Sequence, residues 1–531
     1  MEKSKLIRSA GTVGFLILLS RALGMARDMA MAAFFGSTRA MDAFVVAFTI
    51  PNLFRSLFGE GALSAAFVPV FTGELEKQDR ARVWDFANNM LSLLSVILAA
   101  IVIAGILFVS LLREAWPASE RIALILDFTV IMLPYMFFIC LAAFFAAMLN
   151  SLRRFFMPAA TYAALNVVML AALFLVCPRL DPEGNARIMA IAWSVVLAGV
   201  VQWLMQLPLL WRCGFRPRLK TDWGDERVRR VWRLMGAAAL GMGVTQINVL
   251  LDRLIATFIG EGSPSYLYYA ERLVYFPLGI FGTALGTVLL PAFSAQAAQK
   301  RDDLVRQTLN HSFRQLSFMA IPAALGMFVL ARPIIQVIYE HGGFLPHATD
   351  MTALALCVYA PGLVAFSFLK ILIPVFYSRQ DMKTPVRIGI ACTILSVALK
   401  LALMWPLKHA GIALATVIAA FVQAGVMLVL VHRIFGSPGW GGIARAALKM
   451  LAAGGAMCLA AYFVNASALD FLSAQNIPLK MVRLGALTAA IGSAIAVYFA
   501  AAAAMRCEEA GDFIAALKRR RPAPKASEEK G

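Results

Sequence analysis

The sequence predicts an all-α polytopic membrane protein, and three observations predict it. Of 531 residues, 61% are hydrophobic and only 15% charged, with a mean hydropathy of +0.75; a soluble globular chain carries about 45–50% apolar and about 25% charged residues. Apolar stretches of about 20 residues, the length that crosses a hydrocarbon core of about 30 Å, recur from Gly11 to Met505. The net charge of +19 would point to nucleic acid in a soluble chain, but here it falls in alternate connections, as the positive-inside rule requires. Soluble enzymes, nucleic-acid binders and secreted disulfide scaffolds are excluded as readings of the whole chain.

Taken in order, the hydropathy predicts about fourteen spans, near 9–34, 40–72, 86–112, 122–149, 156–177, 188–211, 234–259, 264–297, 315–339, 350–378, 385–406, 410–432, 442–464 and 481–505. Lys3, Lys5 and Arg8 precede the first run as in a signal peptide, but Arg21 interrupts it and no small-residue cleavage site closes it, so an uncleaved span is expected. Pro51 interrupts the second span, and Pro277, Gly279, Gly282 and Gly286 loosen the eighth. Such bends let parts of a carrier rock or gate, although glycines also serve close helix packing. With the N-terminus inside, and with Arg387, Arg445, Lys449 and Arg483 near span starts counted with the adjoining connections, the 49 Lys and Arg divide into 33 on the inner side, 8 on the outer side and 8 within spans. Eight of the inner set lie between Arg212 and Arg233, and Arg153-Arg154 follows the fourth span. Both termini are therefore expected in the cytoplasm.

A repeat organises the spans. The string Asp28, Ala32, Phe34, Gly36 returns 224 positions later as Asp252, Ala256, Phe258, Gly260. Ala62-Leu63, Pro69, Phe71 return after 222 as Ala284-Leu285, Pro291, Phe293, and Pro134, Ser151, Pro158 after 227 as Pro361, Ser378, Pro385. Six spans per copy gives both copies one orientation, the pattern of two transporter lobes related by an axis along the membrane normal. The lobes are expected at 1–218 and 226–436, with pseudo-two-fold symmetry. Residues 437–506 form an appended helix pair, and 507–531 a basic cytoplasmic tail containing Lys518-Arg519-Arg520-Arg521, read as disordered.

The seven cysteines are scattered without CxxC spacing and read as packing residues. No HExxH, Walker-type loop or metal constellation appears, so no metal, cofactor or ATP-hydrolysing domain is expected. Charges inside spans carry more information. Basic ones are Arg21, Arg27, Arg55, Arg253, Arg272, Arg332, Lys370 and Lys400; acidic companions are Asp28, Asp42, Glu60, Asp252 and Glu271. A central charge costs about 2.5–3.5 kcal/mol on insertion scales, so four arginines facing lipid would cost on the order of 10 kcal/mol. Arg332, beside Pro333, and Arg253 are expected to snorkel at span ends. Arg21, Arg27, Arg55 and Arg272 lie deeper, on spans of both lobes, where they would converge on an interlobe cavity. Arginine suits phosphate because its planar fork donates paired hydrogen bonds at any working pH. Internal ion pairing is the alternative, with Arg21 and Asp28 seven apart and Glu271 beside Arg272. Lys400 has no charged neighbour in sequence, and Asp252 is its expected partner.

Several strings now resemble one family. Ser20-Arg21-Ala22-Leu23-Gly24-Met25-Ala26-Arg27-Asp28, Asp42-Ala43-Phe44, Pro51-Asn52-Leu53-Phe54-Arg55 and Glu60-Gly61-Ala62 resemble the MurJ (MviN) family, as do Tyr268-Tyr269-Ala270-Glu271-Arg272-Leu273 and Phe276-Pro277. That family is similar in fold to the multidrug/oligosaccharidyl-lipid/polysaccharide exporters. The resemblance implies a flippase for lipid II, the undecaprenyl-pyrophosphate-linked peptidoglycan precursor, in the bacterial inner membrane. It implies that Arg21, Arg27, Arg55 and Arg272 line a headgroup cavity, supported or gated by Asp28, Asp42, Glu60, Glu271, Ser265 and Asn52, and that spans thirteen and fourteen form a polyprenyl groove. Two positions depart from the pattern: Ser56 stands where many relatives have a second basic residue, and Tyr275 where some have an acid. The implied partners are lipid II, the bilayer and cell-wall synthesis enzymes, with a monomer as the working unit and potential or ion gradient as driving force. Competing readings are a twelve-span drug or metabolite antiporter, disfavoured by the arginines and the appended pair, and a wall-synthesis scaffold, disfavoured by the buried charges. An enzyme is weaker still, because no nucleophile–base pair is visible.

Overall fold

A computed structural model describes residues 2–77, 79–115, 119–181, 184–475 and 477–511, with side chains for all of these except 2–12, 59–62, 237–242, 244–245 and 280–288. Among the described residues it is all-helical. Nine helices there are long and apolar enough to cross a membrane, or ten if one bent pair is a single span. The nine fall below the expected fourteen because one of them, Lys383–Phe435, holds two expected spans, one expected span is the bent pair, and the helices Glu2–Phe35, Glu226–Thr257 and Ser263–Ala298 are not among them.

The breaks follow the chain's punctuation. The first span is α1 (Glu2–Phe35). The second becomes α2 (Arg39–Phe54), a π-helical segment over Arg55–Ala62, and α3 (Leu63–Glu76). Pro51 has no N–H to donate back into α2, and a widened turn follows within one helical turn, a feature common at functional sites. After α4 (Arg80–Ala115), α5 (Glu120–Ser151) and α6 (Phe156–Ala171) come α7 (Ala186–Leu204) and the short α8 (Leu207–Arg212). Asp225 caps α9 (Glu226–Thr257) by accepting from the Arg227 amide at 2.9 Å. α10 (Ser263–Ala298), α11 (Asp302–Val329) and α12 (Ala331–Tyr339) follow. α13 (Pro346–Tyr359) and α14 (Gly362–Ser378) are bent by 44° at Ala360-Pro361. α15 (Lys383–Phe435) runs through a non-helical Lys408 (φ 50°, ψ −137°) and so contains the eleventh and twelfth expected spans. α16 (Trp440–Ser473) and α17 (Leu479–Ala504) follow; of the tail expected to be disordered from 507 on, residues 507–511 are instead ordered, with Cys507, Glu509 and Ala510 buried and Glu509 held by Arg314, while 512–531 lie outside the described residues.

The chain divides into two compact units. The first takes Met1–Tyr269, Tyr339–Thr349 and Thr393–Ile412. Its hub is α5, which packs against α2, α3, α4 and α7. Aromatic rings fill the hub: Phe67 meets Phe144 edge-on with centroids 4.7 Å apart and stacks on Phe86 at 5.6 Å. The second takes Ala270–Ile338, Asp350–Cys392 and Ala413–Gly531. There α16 and α17 pack on each other and α16 on α11, through small residues such as Ala453, Ala461 and Ala490 that let the helices approach closely. Tyr498 donates its buried hydroxyl to the Phe318 carbonyl at 3.0 Å, and Arg314 holds Glu508 at 2.8 Å.

Candidate functional site

Unit 1 gathers a polar cluster around Asp28. Arg27 and Asp28 adjoin on α1 and are only 6% and 3% exposed. The guanidinium folds back so that Nε and Nη2 both donate to Asp28 Oδ1, at 3.0 and 2.7 Å. Nη1 donates to Asn166 Oδ1 of α6 at 2.9 Å, and the Asn166 amide donates in turn to the Ser20 carbonyl at 3.0 Å. Tyr268 of α10 donates its hydroxyl to the same Asp28 oxygen at 2.9 Å. The Arg253 guanidinium lies 5.8 Å from the Tyr268 ring centroid, a cation–π contact. Arg253 is buried and does not snorkel as expected, because the Tyr268 face and the Pro264 carbonyl, 3.5 Å from its Nη1, give it an internal environment. Arg332 is 61% exposed and paired with Asp350 at 2.8 Å.

The Arg21–Asp28 pair, the alternative that residue spacing offered, is not formed. Asp28 is held by its neighbour Arg27, while Arg21 is half-buried with no side-chain ion pair or hydrogen bond among the described residues. Arg55 opens the π-helical segment, half-buried, and its Nε donates to Asn52 Oδ1 at 2.9 Å, a neutral acceptor that orients it. Ser56 accepts from Gln246 of α9 at 2.9 Å. Arg272 and Glu271 stand half-buried in the portion of α10 that belongs to unit 2, and Tyr275 there stacks on Phe366 with centroids 6.3 Å apart. The Glu60 side chain lies outside the described residues.

A second cluster centres on Asp42, fully buried in the first turn of α2. It accepts from the Gly262 amide at 2.7 Å, the Ser265 amide at 3.1 Å and the Ser265 hydroxyl at 2.6 Å. Arg121 of α5 completes it at 3.1 Å and also donates to the Gly260 carbonyl at 2.9 Å. Asp42 thus serves as a carboxylate for the start of α10, where amides are unpaired and the helix dipole is positive. Beside it the chain closes tightly: Gly343 donates to the Ala33 carbonyl at 2.7 Å, and Gly36 takes φ +58° where a Cβ would meet the Gly343 carbonyl oxygen at 2.2 Å. A third pair is fully internal. The Lys400 ammonium lies against the Asp252 carboxylate and donates to Asn248 Oδ1 at 2.9 Å.

Sequence reasoning missed three contributors: Asn166, Tyr268 and Arg121. An asparagine inside an apolar span was the available signal for the first. Arg121 sits at a span edge, where a basic residue reads as flanking charge. Among the described residues no cluster of three or more His, Cys, Asp or Glu could hold a metal, and the cysteines are free. The arrangement can orient guanidiniums in a buried setting.

Comparison with known proteins gives the lineage. A family model described as "Lipid II flippase MurJ" matches residues 31–482. The chain is 36% identical over 436 residues to a "Probable lipid II flippase MurJ" of Vibrio cholerae, covering 80% of this chain and 82% of that one. It is 35% identical over 522 residues to the protein so described from Bdellovibrio bacteriovorus, with 96% of each covered. A "Lipid II flippase MurJ" of Burkholderia cenocepacia shares 34% over 448 residues, 82% of this chain and 86% of that. In fold the chain is similar to a solved lipid II flippase MurJ in an inward closed conformation, with TM-score 0.76, 24% identity, and 93% and 98% of the chains covered. It is also similar to an inward-facing multidrug transporter of the MATE family and MOP superfamily, with TM-score 0.66, 14% identity, and 78% and 94% covered. The chain belongs to the lipid II flippase MurJ family.

Proposed function

We propose that this protein flips lipid II from the inner to the outer face of the bacterial cytoplasmic membrane by alternating access. The single observation that carries the reading is the family membership of a chain covered almost end to end. The buried, pre-oriented Arg27 supports it, since a guanidinium held by Asp28 and Asn166 is placed before a diphosphate arrives. Arg21, Arg27, Arg55 and Arg272 bind the diphosphate, and Asp28, Asp42, Asn52, Glu60, Ser265 and Glu271 hold or gate them. Residues 1–218 and 226–436 act as the two lobes, and 437–506 accommodate the polyprenyl tail.

Both termini lie in the cytoplasm, and the protein works as a monomer in the bilayer near cell-wall synthesis enzymes. It is a transporter driven by membrane potential or an ion gradient, without an ATP-hydrolysing domain. A potential of 100 mV supplies about 2.3 kcal/mol per charge, enough to bias a conformational equilibrium of a few kcal/mol. Depleting the protein in cells tests the reading. Lipid II should accumulate on the inner face, and collapsing potential and gradients together should do the same. Unchanged sidedness in the first case contradicts the function, and in the second the driving force.

A further inference from the structure

The connection between α8 and α9 is neither helix nor loose loop. Phe215 is buried at its start, its ring 5.6 Å from Trp84 and 6.1 Å from Phe145. Beyond it, three buried side chains of α4 grip the backbone. Asn88 accepts from the Arg218 amide at 2.8 Å and donates to the Arg216 carbonyl at 3.1 Å. Ser92 accepts from the Lys220 amide at 3.0 Å. Asn89 accepts from the Asp222 amide and donates to its carbonyl, both at 2.8 Å. The bonded residues alternate, 216, 218, 220 and 222, so side chains on α4 do the work of a neighbouring strand. Pro217, which has no N–H, falls on the unbonded edge, where none is needed.

This clasp lies beside the ends of two candidate spans, the helix ending at Arg212 and the helix beginning at Arg80. Its outward side chains suit that position: Leu219 is 97% exposed, and Trp211 and Trp223 are 54% and 53% exposed at its two ends. Tryptophan favours the headgroup level. Lys220 is taken by Asp85 at 3.0 Å, but Arg212, Arg216 and Arg218 are exposed with no ion pair among the described residues. Folding has thus fixed the backbone and left three guanidiniums and an apolar residue pointing away from the protein.

We infer that this strap is a binding site for the phosphate headgroups of anionic phospholipids in the adjoining leaflet. The arginines would pair with lipid phosphate, and Leu219 and the tryptophans would enter the interface beside them. The fixed backbone matters because a flexible basic loop loses conformational freedom on docking, whereas this one has already been ordered by Asn88, Asn89 and Ser92. An acidic protein or a nucleic acid would satisfy the charges but would leave Leu219 and Trp223 without an apolar partner. The site is separate from lipid II transport and stands or falls without it.

Bromine-labelled lipids read this out. The full chain is reconstituted in nanodiscs of phosphatidylcholine with a fixed fraction of phosphatidylglycerol, and bromine is placed on one lipid or the other. The difference in quenching between the wild-type protein and Trp223→Phe isolates the Trp223 signal from the other tryptophans. Local enrichment of brominated phosphatidylglycerol over brominated phosphatidylcholine should be about fivefold or more, and Arg216→Gln/Arg218→Gln should abolish it. High salt should weaken the preference without changing folded yield. Equal quenching by the two lipids, or a preference that survives the double substitution, overturns the proposal. Absence of any Trp223 quenching overturns it too, since the strap would then stand in water and be left to an acidic soluble partner.

Discussion

Tyr268 and Arg27 donate to the same oxygen of Asp28, at 2.9 and 2.7 Å. One carboxylate therefore orients a guanidinium on α1 and a phenol on α10, while the Tyr268 ring carries Arg253 on its face. Removing the hydroxyl should loosen this arrangement without abolishing it. Tyr268→Phe should lower stability by about 1.5–3 kcal/mol, the worth of a hydrogen bond to a charged group, and weaken lipid II binding by a smaller amount through the looser Arg27. Binding titrations in detergent check this; unchanged affinity would show that the hydroxyl plays no part in orienting Arg27.

The glycine contact in unit 1 predicts a steric effect with its own control. At Gly36, φ +58° and the Gly343 carbonyl both exclude a side chain. Gly36→Ala should lower the melting temperature by the equivalent of about 2 kcal/mol or more, combining left-handed strain with a backbone clash. Gly73→Ala, within α3 and with nothing within 4 Å of its added Cβ, should be neutral or stabilising by up to about 1 kcal/mol. Equal melting shifts in the two variants would contradict the close approach at Gly36.

Lys400 and Asp252 predict coupling. Each is buried, so truncating either leaves the other without its counter-charge at a cost of about 3–5 kcal/mol. Lys400→Ala and Asp252→Ala should each lower folded yield sharply, and the double variant should recover much of the loss. Additive single effects in thermal unfolding would reject the pair as an energetic unit.

At the N-terminal end of α9, outside the spans, burial raises the Asp225 carboxyl but the Arg227 hydrogen bond, amide and charge outweigh it, holding the group below the ordinary carboxylate range. A lowered folded-state value means stability that is complete above the unfolded value, about 3.9, and lost as pH falls through the folded one. Asp225→Ala should cost about 1 kcal/mol at neutral pH through the lost helix cap. Its melting deficit relative to wild type should shrink below about pH 4. A deficit independent of pH would mean that the carboxylate charge contributes nothing.

Much of this was legible in the residues. Composition and apolar run length were enough for an all-helical membrane protein, and the charges in spans led to Arg27, Asp42 and Lys400 because an isolated charge in hydrocarbon demands a partner. Partner choice was less legible. Asp28 satisfies its neighbour Arg27 instead of Arg21 because a long guanidinium can fold back along its own helix, which residue spacing alone does not reveal. Arg253 looked like an interfacial residue because the aromatic face that shelters it lies on another helix. The strap is illegible for a similar reason: Asn88, Asn89 and Ser92 are mild polarity at the start of an apolar helix, and the backbone they hold lies about 130 positions away in sequence. Individual spans were less legible: two expected ones run together through Lys408, and another bends by 44° at Ala360-Pro361.

Proposed binding of the lipid-linked diphosphate by the arginines is distinguishable from mere pairing with carboxylates. The most direct measurement is lipid II binding and flipping by an Arg27→Ala/Arg272→Ala variant, with folded yield determined in the same membranes. Folded protein with binding and flipping lost is expected, with only partial recovery in Arg27→Lys/Arg272→Lys, because lysine keeps the charge but not the paired donors. Wild-type binding and flipping by the double alanine variant would contradict it.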